Sequence, residues 1–383
     1  MLLFEKPSHH IYTSLIARSN YAVLADAGVA LQTRSFGDYT YKPYAVFPSV
    51  PAAVPNAARA PAADPASAPQ PPPPVSPPKD GWDYIVVTTK ALPDRTDDAA
   101  MIAPLVSPHS CIVLIQNGFG VEEPYRQRFP RNPIVSAVTV VSAEQVKLGV
   151  IRQNRWTRIS LGPFGHGGHG GHGGHGGPGG DGAGEDSDDE LTKLGGERTS
   201  ALARWWSELG GIRDAEPHTA LELQTIRWHK LCINAAFNPT AVLSGGRGNA
   251  DQLRDPELRA HIVGVMREIW DAAPRVLGGP PFGPESGEEG SLRAGLATPE
   301  RIVRSTERNE GAKPSMLLDW EAGRPMELEV ILGNPVRAAC SRGVEMPRLQ
   351  SVYALLKSMQ ETRERERERE RERSQAGETK GRL

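Results

Sequence analysis

The stretch WHKLCINAAFNPTAVLSG, from Trp228, sets three polar side chains into an apolar, helix-forming run: Lys230, Asn234 and Asn238. At i, i+4 and i+8 they form a polar line along one helical face, and Pro239 is expected to break the helix, with Asn238 at its end. An unpaired buried lysine is costly and responds by lowering its pKa. Its ammonium therefore either faces a solvated cleft or is kept for proton transfer. Two more candidates end buried strands: Lys90 after WDYIVVTT and Asn117 in LIQNGFG. In an open α/β sheet, ligands bind at the carboxyl ends of the strands. Arg18 follows a further strand, TSLIA, where an arginine suits a 2′-phosphate and an acidic residue would suit ribose hydroxyls. Taken alone, Lys90 also reads as surface charge and Asn117-Gly118 as a plain turn. Towards the C-terminus, Ser315 precedes an apolar helical turn, and Glu327 and Glu329 flank Leu328. A glutamate that met a lysine from another helix could order it or hydrogen-bond a substrate hydroxyl.

The elements that must position these groups fall into two kinds. Residues 11–17 read as a strand, 18–28 as a short helix ending at Gly28, and 29–50 as a hairpin or meander turning at Gly37-Asp38. Buried strands WDYIVV and CIVLI then alternate with the helical stretches PDRTDDAAMIAPLV and VEEPYRQRF, and further strands fill 133–164. Strand–helix–strand order argues for a doubly wound α/β domain. From Ser200 the pattern is helical throughout. The expected organisation is a Rossmann-type domain over 1–197, a helical substrate domain over 198–360 and a charged tail over 361–383. Two low-complexity inserts interrupt the first domain. Residues 51–79 are Pro/Ala-rich, a semi-rigid linker or loop. Residues 165–190 carry His166, His169, His172 and His175 among glycines and then an acidic cluster, Glu185 to Glu190. That tract reads as a disordered insert or as a weak zinc or nickel binder, and the acidic cluster as a solvated loop. The RERERE tail sets opposite charges at i+3 but like charges at i+4, and is expected to be a solvated extension.

The 383 residues carry a net charge of −2, with 44 basic and 46 acidic side chains, so nothing draws the chain to nucleic acid or anionic membranes. Three widely spaced cysteines fit neither a zinc site nor a disulfide framework. No apolar run reaches membrane-spanning length. A cytoplasmic protein is the default, with the mitochondrial matrix open.

Together these stretches resemble the ketopantoate reductase (2-dehydropantoate 2-reductase) family. The resemblance rests on IARSNY, DYIVVTTKA, VLIQNGFGVEE, GVIRQNRWTRISLG, KLCINAAFNPTAVLSG and SMLLDWEAGRPMELEVILGNPVRAACSRGVEMP, in the family's order. It implies an α/β Rossmann-type domain, incomplete at its N-terminus, followed by an all-helical domain, with the active site in the cleft between them. It implies NADP as cofactor and a 2-keto acid as substrate. Lys230 would be the general acid, Glu327 would bond the substrate hydroxyl, and Asn234 and Ser315 would hold the substrate. Asn249, one residue out of register, would be a further substrate contact; Arg18, Lys90 and Asn117 would lie along the cofactor. A homodimer is compatible with the resemblance. The family opens with a strand and a G-x-G-x-x-G loop whose amides cradle the pyrophosphate. Here MLLFEKPSHHIY precedes TSLIA without a glycine. That departure reads as a truncated gene model or as a lost cofactor loop, and on either reading this chain is expected to have little reductase activity. A reductase of another 2-keto acid and a non-catalytic binding or scaffold protein stay open as alternatives.

Overall fold

Cys111–Leu114 is an apolar run with no polar face, because both of its sides are covered. In the computed structural model, which describes residues 11–54, 77–165, 185–286 and 290–380, Cys111 and Val113 point into one apolar cluster and Ile112 and Leu114 into another. Strands buried on both sides belong to sheets between helical layers. The strands are β1 (Ser14–Ile16), β2 (Val29–Thr33), β3 (Tyr39–Tyr41), β4 (Ala45–Phe47), β5 (Tyr84–Val87), β6 (Cys111–Leu114), β7 (Ile134–Lys147), β8 (Val150–Pro163) and β9 (Ala215–Pro217). Seven of them form one mixed sheet in the order β3-β2-β8-β7-β6-β5, with β9 beside β8. β5, β6 and β7 run parallel, and β7 and β8 form a long antiparallel pair. β1 and β4 pair only with each other, in a separate two-stranded parallel sheet. Ala45 and Phe47 of β4 share an apolar cluster with Ile85 and Val87 of β5, so the small sheet packs beside the large one.

The first helices are α1 (Tyr21–Ala27), α2 (Asp98–Ile102), α3 (Glu123–Arg128) and α4 (Glu185–Arg204). α2 and α3 cover one face of the large sheet through Ala99, Ile102 and Tyr125. α4 covers the other through Leu202 and Ala203, with Trp206 just beyond it. The 197/198 boundary read from the sequence falls inside α4. Because α4 packs on the sheet and β9 joins it, the helical half starts only at α5. The acidic cluster expected to be a loop is instead the start of α4. Carboxylates are favourable at a helix N-terminus, where the partial charge is positive. Most of both inserts (55–76 and 166–184) lies outside the described residues, including all four histidines of the His/Gly tract.

The helical half contains α5 (Ala220–Leu243), α6 (Asn249–Gln252), α7 (Pro256–Leu277), α8 (Leu292–Gly295), α9 (Pro299–Thr306), α10 (Ser315–Glu321), α11 (Asn334–Cys340) and α12 (Pro347–Lys380). α5 opens on a reciprocal cap: Thr219 Oγ1 accepts from the Glu222 N–H and the Glu222 carboxylate accepts from the Thr219 N–H. Contrary to expectation, Pro239 does not end it, and Asn238 is buried in mid-helix rather than a cap. A mid-helix proline costs about 3 kcal/mol. Burial of Phe237, Ala241 and Val242 around it offsets that cost, at about 1.5–3 kcal/mol for a large apolar side chain. The core around Trp228, Phe237, Ile269 and Leu332 also takes in Ala91, Phe119 and Val121 from the strand ends of the first half. The two halves therefore share one core at their junction.

The tail departs from expectation too. It continues α12 as helix to Lys380 and is not wholly solvated. Arg363 donates to the Trp320 carbonyl and lies over its ring, Arg367 donates to the Gly323 carbonyl at 2.6 Å, and Glu364 pairs with Arg95 at 2.7 Å. Those contacts join α12 to both halves.

Candidate active site

The site forms where the carboxyl ends of β5 and β6 meet α5 and the segment after α10. Past β6 the main chain turns through Gly118, at φ +93°, and runs against the helical half, the Phe119 N–H donating to the Val330 carbonyl at 2.8 Å. A Cβ on Gly118 would stand 2.5 Å from that of Val330, so glycine is required for the approach. The turn leaves the Asn117 side chain at the junction.

Lys230, half-buried on α5, donates to Asn117 Oδ1 and to the Thr139 carbonyl of β7, both at 2.8 Å. An ammonium has three N–H donors. No third acceptor lies within hydrogen-bond distance among the described residues, so one donor remains for a ligand. Burial draws the Lys230 pKa down to about 8; the charge of Arg227 lowers it further and that of Glu327 opposes the shift. Glu327 is buried and accepts the Ala91 N–H at 3.0 Å. Burial pushes its carboxyl up, against the Ala91 hydrogen bond and the nearby Lys90 and Lys230 charges. Lys90 pairs with the buried Asp319 of α10, which also meets Arg324 at 3.1 Å.

The structure thus brings Lys230, Asn117, Glu327 and Lys90 into one charged cluster shared by both halves. Asn234 lies half-buried one turn beyond Lys230, and its side chain makes no hydrogen bond among the described residues. Ser315 is exposed at the first turn of α10. Asn249 begins α6, its N–H donating to the Ala312 carbonyl, while its side-chain oxygen is buried without a donor among the described residues. Arg18 is exposed past the carboxyl end of β1. Glu329, paired with Glu327 in the sequence, serves the scaffold instead. It accepts from Arg337 at 2.7 Å and from Tyr353, tying α11 to α12. A cavity of about 800 Å³ opens beside the cluster, lined by Ala91, Gln116, Gly120, Tyr125, Arg128 and Val330.

Sequence reasoning missed Asp319 and Arg227. Asp319 had a signal, a lone carboxylate within SMLLDW. Arg227 had none, because three residues before Lys230 an arginine looks like any helix charge. In the fold it is 2% exposed and paired with Glu122, itself fully buried, at 3.1 Å.

A sheet whose strand ends present an asparagine and a lysine to a second, helical domain carrying a half-buried lysine and a buried glutamate is the architecture of a two-domain oxidoreductase. The comparisons agree and are narrower. The ketopantoate reductase PanE/ApbA profile matches residues 3–166 and the ketopantoate reductase PanE/ApbA C-terminal profile residues 222–360. The chain belongs to the ketopantoate reductase family. It is 26% identical over 367 residues to an uncharacterized protein of Saccharomyces cerevisiae, spanning 91% of this chain and 86% of that protein. A 2-dehydropantoate 2-reductase of Nostoc is 23% identical over 280 residues, spanning 72% and 73%. The crystal structure of 2-dehydropantoate 2-reductase from Methylococcus capsulatus superposes with a TM-score of 0.63 at 29% identity, covering 91% of this chain and 89% of that one. Among the described residues no helix is long and apolar enough to cross a membrane, no metal-binding cluster is present, and the three cysteines are free.

Proposed function

We propose that this protein reduces a 2-keto acid with NADPH, ketopantoate to pantoate being the first candidate reaction. The observation that carries the reading is the third N–H of Lys230, left over after Asn117 and Thr139 have taken two. A general acid needs a pKa near working pH, and burial has drawn this amine down to about 8. Lys230 gives that proton to the ketone oxygen, becomes a neutral amine and recovers a proton from water. Bound NADPH would supply the hydride to the carbonyl carbon, so that the ketone becomes a 2-hydroxy acid. Glu327, fixed by the Ala91 N–H, accepts from the substrate's hydroxyl. Asn234 and the unpartnered oxygen of Asn249 offer further polar contacts, and Ser315 a hydroxyl on the substrate's carboxylate side.

The residues fit a dinucleotide in part. Arg18 presents an exposed guanidinium past the carboxyl end of β1, of a kind that would suit a 2′-phosphate, and Asn117 stands at the carboxyl end of β6. Lys90 already holds Asp319, so a cofactor contact there would share that partner. A glycine-rich amide cradle for the pyrophosphate is not among the described residues. The test is NADPH oxidation, followed by absorbance, with ketopantoate and a panel of other 2-keto acids. Lys230→Ala should lower kcat by about 10²–10⁴-fold, the usual range for acid–base groups. A loss under about tenfold would remove Lys230 as the acid. Turnover of a different 2-keto acid in preference to ketopantoate would move the substrate assignment but keep the mechanism.

A further inference from the structure

The guanidinium of Arg227 stitches together the two segments that Lys230 uses, the turn after β6 and a stretch inside β7. Its Nη1 donates to the carbonyls of Gln116 and Gly118, at 2.8 and 2.9 Å, the two residues flanking Asn117. Its Nη2 donates to Ser136 Oγ at 2.5 Å and to the Ala137 carbonyl at 3.2 Å, on β7 two residues before Thr139. Glu122 anchors the guanidinium from below at 3.1 Å, and its Oε1 also accepts from Ser136 at 2.5 Å and Gln224 at 3.1 Å. The residues on either side of one acceptor of Lys230, and those just ahead of the other, are thus held by one planar group on the same helix. We propose that Arg227 is a positioning residue: it sets Asn117 Oδ1 and the Thr139 carbonyl where the Lys230 ammonium meets both and keeps its third donor directed at the ligand. A lysine could replace the charge of Arg227 but not its fork, since only a guanidinium presents several donors in one fixed plane.

The assignment deepens the reading of Lys230 as proton donor, and its test is independent of turnover. The Lys230 amine is titrated in the full chain by competitive acetylation at a series of pH values, with mass spectrometry of the labelled peptide. Asn117→Ala removes an acceptor that stabilises the ammonium, so it lowers the titration midpoint, by about one unit. Arg227→Lys keeps the positive charge but releases the Asn117 turn, and is expected to shift the midpoint the same way. The two changes made together should shift it little further than either alone, because residues acting through one network are not additive. Ser136→Ala, which removes one Arg227 contact and leaves the Glu122 pair in place, gives a smaller shift in the same direction and serves if Arg227→Lys does not fold. An unmoved midpoint in both Arg227→Lys and Ser136→Ala, or shifts of Arg227→Lys and Asn117→Ala that add in full, overturns the proposal. Where turnover is measurable, Arg227→Lys lowers kcat by at least ~tenfold with KM little changed. A chain that turns over no 2-keto acid but shows the coupled titration would defeat the reductase reading and leave the positioning role standing.

Discussion

Arg227 and Lys230 stand three residues apart on α5 and draw their partners from the same turn after β6 and the same strand β7, yet they are used in opposite ways. Arg227 is enclosed: each of its three nitrogens faces a carboxylate, a hydroxyl or a carbonyl, and its counter-charge Glu122 is fully buried with it. Lys230 is half-buried, has two acceptors for three donors, and meets Glu327 only as a nearby charge. A buried cation enclosed by a buried carboxylate, a hydroxyl and carbonyls holds structure. One with a donor left over and a depressed pKa can do chemistry. The difference lies in how many partners each receives.

The largest expected effect comes from breaking the enclosed side. Arg227→Ala takes the guanidinium away from the buried Glu122 carboxylate and should cost about 3–5 kcal/mol of stability, read from denaturant midpoints. A cost below about 1 kcal/mol would mean that water reaches Glu122 and that the contrast with Lys230 is not one of enclosure. Gly118→Ala probes the turn the two cations share. With φ at +93° and the new Cβ 2.5 Å from that of Val330, it should cost about 1–3 kcal/mol and displace Asn117 from Lys230. If stability and Lys230 titration both stay at wild-type values, the turn is not what sets Asn117.

The smallest effect sharpens the Lys230 side. Its folded pKa, about 8, lies below the ordinary 10.5, so between these values the unfolded chain binds the extra proton. Stability contributed at this site therefore rises as pH rises through that window, with a slope of at most about 1.4 kcal/mol per pH unit. Lys230→Met should lack this slope, which then appears in the difference between the denaturant midpoints of the unaltered chain and the variant. The rate of any reduction should fall above pH about 8, as the acid loses its proton. An unchanged rate well above that pH would point to another proton donor.

Much of the fold was legible because its signals are local. The unbroken apolar run CIVL, the turn at Gly37, the helix ending at Gly28 and the apolar periodicity of α7 each arise from a few neighbouring residues. Lys230 could be singled out because a cation in an apolar run is anomalous wherever the helix packs. Two readings failed for one shared reason: Pro239 inside α5 and the docked Arg363 and Arg367 of α12 are settled by what packs against them. Local propensity argued the other way and was outweighed.

By itself the sequence determined the order of sheet then helices, the polar line on α5, and the lysine and asparagine that end β5 and β6. Chain-local periodicity and the chemistry of single side chains suffice for these. Only the tertiary structure decided that Lys230 meets Asn117 and Thr139, that Lys90 is held by Asp319, and that Glu327 rather than Glu329 enters the cluster. The contacts join residues from 91 to 236 positions apart, a separation at which neither spacing nor periodicity carries information. Arg227 is the sharpest case: as a letter in the chain it is one arginine among many, and its role exists only in the groups the fold brings around it.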